Sequence, residues 1–176
     1  SRGGSFSGWL DDLQIWNNQV AGADSNITVS SMSDNTFLTI ITNTLGHSSS
    51  IDPSFRFNLS DTQSSAYATR YNHSGGADGT PLTNQSLGRL GIGTTSLNPY
   101  FGVSYTINIS GEEKLNISHL IDQNTTGQAP NRSVTVNKWT QSNVIDEVNI
   151  YTGSATTWVS DSNVSVIGSD GTEELN

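Results

Sequence analysis

Residues 100–121, YFGVSYTINISGEEKLNISHLI, alternate between apolar and polar side chains with a period of two. Phe101, Val103, Tyr105, Ile107 and Ile109 form one series, and Gly102, Ser104, Thr106, Asn108 and Ser110 form the other. Only an extended strand places residues two apart on one face. Ser110-Gly111-Glu112-Glu113 has turn chemistry, and a second strand starts at Lys114 with Leu115, Ile117 and His119 in phase. The pattern predicts an antiparallel hairpin with one face buried and one wet. The apolar series is expected to face the core, so Val103, Tyr105, Ile107, Ile109, Leu115 and Ile117 are expected core residues. His119, in phase with them, is expected to be a partly buried histidine.

The rest of the chain repeats the pattern. Strand candidates are 26–32, 36–42, 54–59, 66–71, 87–92, 133–140, 145–152 and 163–167. Phe55, Phe57 and Leu59 alternate with Arg56 and Asn58, Val134 and Val136 with Thr135 and Asn137, and Val164 and Val166 with Ser165. WLDDLQIW (9–16) fits a helix by Trp9, Leu13 and Trp16, but its shortness and the β-rich run after it favour a strand. Short strands between Gly-, Ser- and Asp-rich turns predict an all-β antiparallel β-sandwich, jelly-roll-like, with a short N-terminal arm. Residues 1–25 are expected to form the arm or first strand, 26–171 the sandwich and 172–176 a tail. Strand content should exceed about 40% and helix stay below about 10%, against a usual strand share of roughly 20–25%. The interval 75–85 reads as the longest polar loop.

Composition narrows the function. The 176-residue chain is long enough for one domain with a real core. It has no Cys, which excludes disulfides, thiolate catalysis and Cys-held metal. Its net charge is -9 with dispersed acids, so neither nucleic acid nor an anionic membrane is an expected partner. No apolar run approaches the roughly 20 residues that span a bilayer. The chain starts at Ser1 and its only Met is Met32, which reads as a processed or partial product.

Catalytic signatures are not visible. His47, His73 and His119 have no metal-ligand spacing, and Asp52, Asp61 and Asp78 lack calcium-loop spacing. Asp11/Asp12 and Glu112/Glu113 are sequence neighbours rather than carboxylates converging across a cleft. The glycines of 88–93 signal a bulge or tight packing rather than a phosphate cradle. Lys114 and Lys138 read as surface or rim charges. Tyr67, Tyr71, Tyr100, Tyr105, Tyr151, Trp139 and Trp158 read as packing residues before they read as a sugar-binding face. The chain is therefore expected to be no enzyme, with no cofactor and no metal.

Asn-X-Ser/Thr occurs at Asn26, Asn58, Asn72, Asn84, Asn108, Asn116, Asn124, Asn131 and Asn163. These are nine of the 18 Asn, where composition alone gives about five, so each is a candidate glycan acceptor. Asn58 and Asn108 lie in the polar series of their strands, where a glycan is expected to sit clear of the core. Trp9 and Trp16, in the segment ahead of the sandwich, are expected assembly contacts.

Three runs carry a family resemblance: PSFRFNLSDTQSSAYATRYNHSGGADGT (53–80), NPYFGVSYTINISGEEKLNISHLIDQNTTGQAPNRSVTVNKW (98–139) and WVSDSNVSVIGSDG (158–171). The chain resembles uncharacterised virion structural proteins of tailed phages and related archaeal viruses over about residues 26–171. The resemblance implies capsid decoration or a tail or fibre module, located in the virion, with no catalytic residues. The partners expected are copies of the chain itself, with a trimer favoured, other virion proteins, and host surface glycans. The alternative expectations are a glycosylated cell-surface or extracellular filament or adhesin subunit, and a carbohydrate-binding module.

Overall fold

The structure is a computed structural model and describes residues 13–49, 52–59, 61, 63–92, 98–123, 127–153 and 156–170. Strands take 52% of these residues, above the expected level, and no helix occurs among them. The strands are β1 (Gln14–Gln19), β2 (Asn26–Val29), β3 (Phe37–Thr44), β4 (Ser54–Phe57), β5 (Tyr67–His73) and β6 (Leu82–Gln85). They continue as β7 (Gly88–Arg89), β8 (Tyr100–Ile107), β9 (Lys114–Asp122), β10 (Asn131–Trp139), β11 (Val148–Tyr151) and β12 (Asn163–Ser169). An eight-stranded sheet runs β1-β12-β3-β8-β9-β10-β5-β6, and a four-stranded sheet runs β2-β11-β4-β7. Every pairing is antiparallel. The fold is an antiparallel β-sandwich.

The predicted hairpin is β8–β9, with Tyr105 opposite Ile117 and Gly111 at φ 82° in its turn. That left-handed φ is one glycine adopts without strain. Two elements differ from expectation. β6 lies inside the interval read as loop, because Leu82-Thr83-Asn84-Gln85 carries no alternation. The strand read at 87–92 shrinks to Gly88–Arg89.

β4 supplies the aromatic centre. Phe55 and Phe57 are both buried, with ring centroids 4.7 Å apart. Trp139 stands edge-on to Phe57 at 5.6 Å and stacks on Tyr67 at 6.4 Å. Phe57 N–H donates to the Tyr67 hydroxyl (2.8 Å), which donates to Gln63 Oε1 (3.0 Å). Burial pushes the Tyr67 hydroxyl well above its ordinary range. A Cβ on Gly88 would collide with the Phe55 ring, so that glycine serves tight packing. Ile27, Val29, Val148 and Ile150 of the smaller sheet and Leu38, Ile40, Val164 and Val166 of the larger complete this core.

The described part of the N-terminal segment forms a first strand. β1 pairs along its whole length with β12 of its own chain. Trp16 packs against the core over Gly168, where an added Cβ would lie 2.9 Å from the indole. Trp16 is therefore a partly buried packing residue of its own chain. Trp9 and residues 172–176 lie outside the described residues.

Candidate contact face

The middle of the larger sheet is turned opposite to the expectation. Tyr105 is 55% exposed, Ile107 42% and Ile117 46%. Ile109 and Leu115 are exposed as well, and Val103 is half-buried. The alternation is real, but its polar series points inward. Ser104, Thr106, Asn108, Lys114, Asn116 and Ser118 are buried. On β10 Thr135 and Asn137 are buried while Val136 is exposed, again the reverse of the usual order. His119 shares the apolar face as expected, but that face is outside, and so is His119.

A hydrogen-bond lattice makes the inversion tolerable. Ser104 and Ser118 hydroxyls meet at 2.7 Å, and Ser118 Oγ donates to Asn116 Oδ1 at 2.9 Å. Asn116 Nδ2 donates to Thr106 Oγ1 (2.8 Å), and Asn137 Nδ2 to Asn116 Oδ1 (2.9 Å). Asn137 Oδ1 accepts from Thr69 Oγ1 (2.7 Å) and from Arg89 N–H (3.0 Å). One lattice thus ties β5, β7, β8, β9 and β10. Buried polar groups are costly only when unpaired. The small Ser, Thr and Gly side chains also leave room for the bulky Phe55, Phe57 and Leu90 facing them from the other layer.

Lys114, expected at the rim, is fully buried. Its ammonium donates to the carbonyls of Ile109 (2.6 Å), Ser142 (3.2 Å) and Glu112. Burial lowers its pKa, opposed by the nearby charges of Glu112 and Asp34. Lys138 does lie on the outer face, paired with Glu113 at 2.8 Å.

The outer face is continuous across strands. Ile15, Ile167, Thr39, Tyr105, Ile117, Val136 and Arg70 are successive cross-strand partners from β1 to β5. Beside this row runs Ile41, Val103, His119 and Val134. The next row is Asn43, Phe101, Ile121 and Arg132. Thirteen large apolar side chains are exposed among the described residues, and all but Leu45, Leu59 and Val159 belong to this face or its immediate edge at Ile109. A contiguous apolar patch, unlike scattered single residues, marks a contact surface.

The glycan candidates divide by this geometry. Asn58, Asn108 and Asn116 are buried, which corrects the expected outward placement of Asn58 and Asn108. Asn108 Nδ2 donates to the Asn35 (3.0 Å) and Ile145 (3.3 Å) carbonyls, and its Oδ1 accepts from Ile145 N–H (2.7 Å). Asn58 Nδ2 donates to Val144 O (2.7 Å), and its Oδ1 accepts from Asp146 N–H (3.0 Å). Asn84 is exposed, and Asn26, Asn72, Asn131 and Asn163 are half-buried. Asn124 lies outside the described residues.

The remaining candidates do not converge. Asp52 pairs with Arg89, Asp61 accepts from Asn58 and Asn143, and Asp78 is exposed in a loop. Among the described residues no group of three or more His, Asp or Glu is placed to hold a metal ion. Asp11 and Asp12 lie outside the described residues. Tyr67, Tyr100, Trp139 and Trp158 are core residues, so they line no groove. His47 is buried against Trp158, edge-on at 6.2 Å, and bonds the Ser49 carbonyl through Nδ1. Comparison with known proteins adds no relative: no protein-family model and no curated protein matches this chain.

Proposed function

We propose that this chain is a non-enzymatic virion structural protein, a jelly-roll-like module displayed on a capsid or tail and acting through assembly contacts with itself and with other virion proteins. The observation that carries the reading is the apolar outer face of the larger sheet. A sandwich alone needs one apolar face per sheet, turned inward. Here β8, β9 and β10 use their polar series for the interior and leave their bulky series outside. Sheets of assembling proteins carry such a face because a neighbour covers it. The resemblance of 53–80, 98–139 and 158–171 to virion proteins of tailed phages and related archaeal viruses supports the same reading.

The test is quantitative mass spectrometry of density-purified particles from the source culture. Stoichiometric amounts of this chain in the particle fraction are expected. Its recovery only in envelope or culture-medium fractions would overturn the virion reading. That outcome would favour the second reading, a glycosylated surface filament subunit, which the exposed Asn84 sequon supports.

A further inference from the structure

We propose that the outer face of the eight-stranded sheet is covered by a second copy of the same chain, packed face to face about a two-fold axis that runs along the strands. The proposal rests on the assembly reading above and names the partner. Ten large side chains, each about half exposed and about 150–200 Å² in full, present on the order of 800 Å² of apolar surface. A typical monomer's largest patch is about 300–600 Å², and a standard interface takes about 800 Å² from each partner.

Patch number selects the symmetry. A ring of three or an open filament joins two different surfaces, each complementary to the other. Among the described residues the exposed large apolar side chains outside this face are Leu45, Leu59 and Val159, too few to form a second patch of this size. A two-fold contact is the arrangement that uses one patch twice.

Charge selects the occupant and the axis. The chain carries a net -9, so most contacts between copies oppose like charges. The eight strands of this sheet contain a single carboxylate, Asp122, and it is buried. The outer face instead carries Arg70, Arg132 and Lys138 on the β5–β10 flank, Lys138 being paired with Glu113 of the β8–β9 turn. On the opposite flank Asp161 precedes β12 and Asp170 follows it. Cross-strand register puts Arg132 at the same end of the sheet as Asn163 and Asp161, and Lys138 at the same end as Ser169 and Asp170, four strands across in each case. Rotation by 180° about an axis along the strands keeps each end at its own end and exchanges the flanks. Arg132 of one copy then approaches Asp161 of the other. Face-to-face sheets cross at about 30°, a twist this pairing accommodates.

Sedimentation velocity on the full chain, from about 1 to 100 μM, tests the pair at low salt, where rim charges are least screened. A monomer–dimer equilibrium is expected. Ile117→Lys, checked for native circular dichroism, should weaken it at least tenfold. Arg132→Glu should weaken it several-fold, and adding Asp161→Lys should restore it, which a misfolded variant would not do. A chain monomeric throughout, a trimer, or a dimer indifferent to Ile117→Lys would overturn the proposal. Monomers that bind anionic phospholipid vesicles through this face would also overturn it. A monomer found in purified particles removes the pair and leaves the virion reading standing. A dimer missing from particles supports the pair and removes the virion reading.

Discussion

Ser104 Oγ lies 2.7 Å from Ser118 Oγ beneath the larger sheet, while Tyr105 and Ile117, paired in the same two strands, stand on its outside. The hydroxyl pair and the apolar pair define the two sides of the β8–β9 hairpin. The side rich in hydroxyls and amides is the inner one.

The lattice beneath the sheet should carry stability through Asn137. Its amide bonds Thr69, Arg89 and Asn116. Asn137→Ala strands these partners in the interior, and unsatisfied buried groups cost about 1–3 kcal/mol each. The variant should lose at least about 2 kcal/mol by urea denaturation. A loss within about 0.5 kcal/mol, the range of ordinary surface substitutions, would mean that the lattice is not closed as described.

The two isoleucine classes should separate by an order of magnitude. Ile150 on β11 is fully buried, and Ile150→Ala should cost about 2–5 kcal/mol. Ile107→Ser should change the stability of the dilute monomer by no more than about 0.5 kcal/mol. Equal costs in urea titrations would place Ile107 in the core.

Much of the fold is legible in the sequence, because strand periodicity is a backbone property. The β8–β9 hairpin, its turn, and β3, β4, β5, β10 and β12 fall at or near their expected positions. Facing is a different matter. Alternation states that two sides differ, and only the opposing layer decides which is buried. For Phe55, Phe57, Val164 and Val166 the usual order holds, since little else could fill the centre. On β8–β10 the bulky β4 aromatics and Leu90 already fill the interior, and side chains as small as Ser104, Ser118 and Thr135 fit beneath them with partners supplied. The density of Asn, Ser and Thr at alternate positions of three adjacent strands was the available signal for a side-chain lattice. The contact face follows from the same alternation with its two sides exchanged, and the inward packing of Trp16 depends on the pairing of β1 with β12, which the local sequence does not carry.

Acid should destabilise the protein through His47. Burial lowers its pKa from the usual 6.5, the Ser49 carbonyl and Asp122 opposing that shift. Between the lowered folded value and 6.5 the unfolded chain binds more protons, so stability rises with pH across that window and is lost as pH falls below about 6.5. Thermal melts from pH 7.5 down to 5 should show this slope, and His47→Asn should flatten it. An unchanged slope in the variant would assign the acid sensitivity elsewhere.

Glycan occupancy should follow side-chain burial. On expression in a host that glycosylates Asn-X-Ser/Thr sites, Asn84 should be the most fully occupied of the described sites. Asn58, Asn108 and Asn116 should stay bare once folding precedes transfer, because each amide is buried and hydrogen-bonded. Glycopeptide mass spectrometry reads this directly, and high occupancy at Asn108 would contradict its placement.

The facing of β8 and β9 is best tested by thiol labelling, since the chain has no Cys of its own. Ile107→Cys and Ser118→Cys each place one thiol, the first outside and the second inside. In dilute native protein the Ile107→Cys thiol should react at nearly the rate of a free thiol, slowing as concentration rises and a second copy covers the face. The Ser118→Cys thiol should react only as fast as the protein unfolds, at every concentration. Fast native labelling at position 118 with protection at 107 in dilute protein would turn the hairpin over and contradict both the polar interior and the apolar contact face.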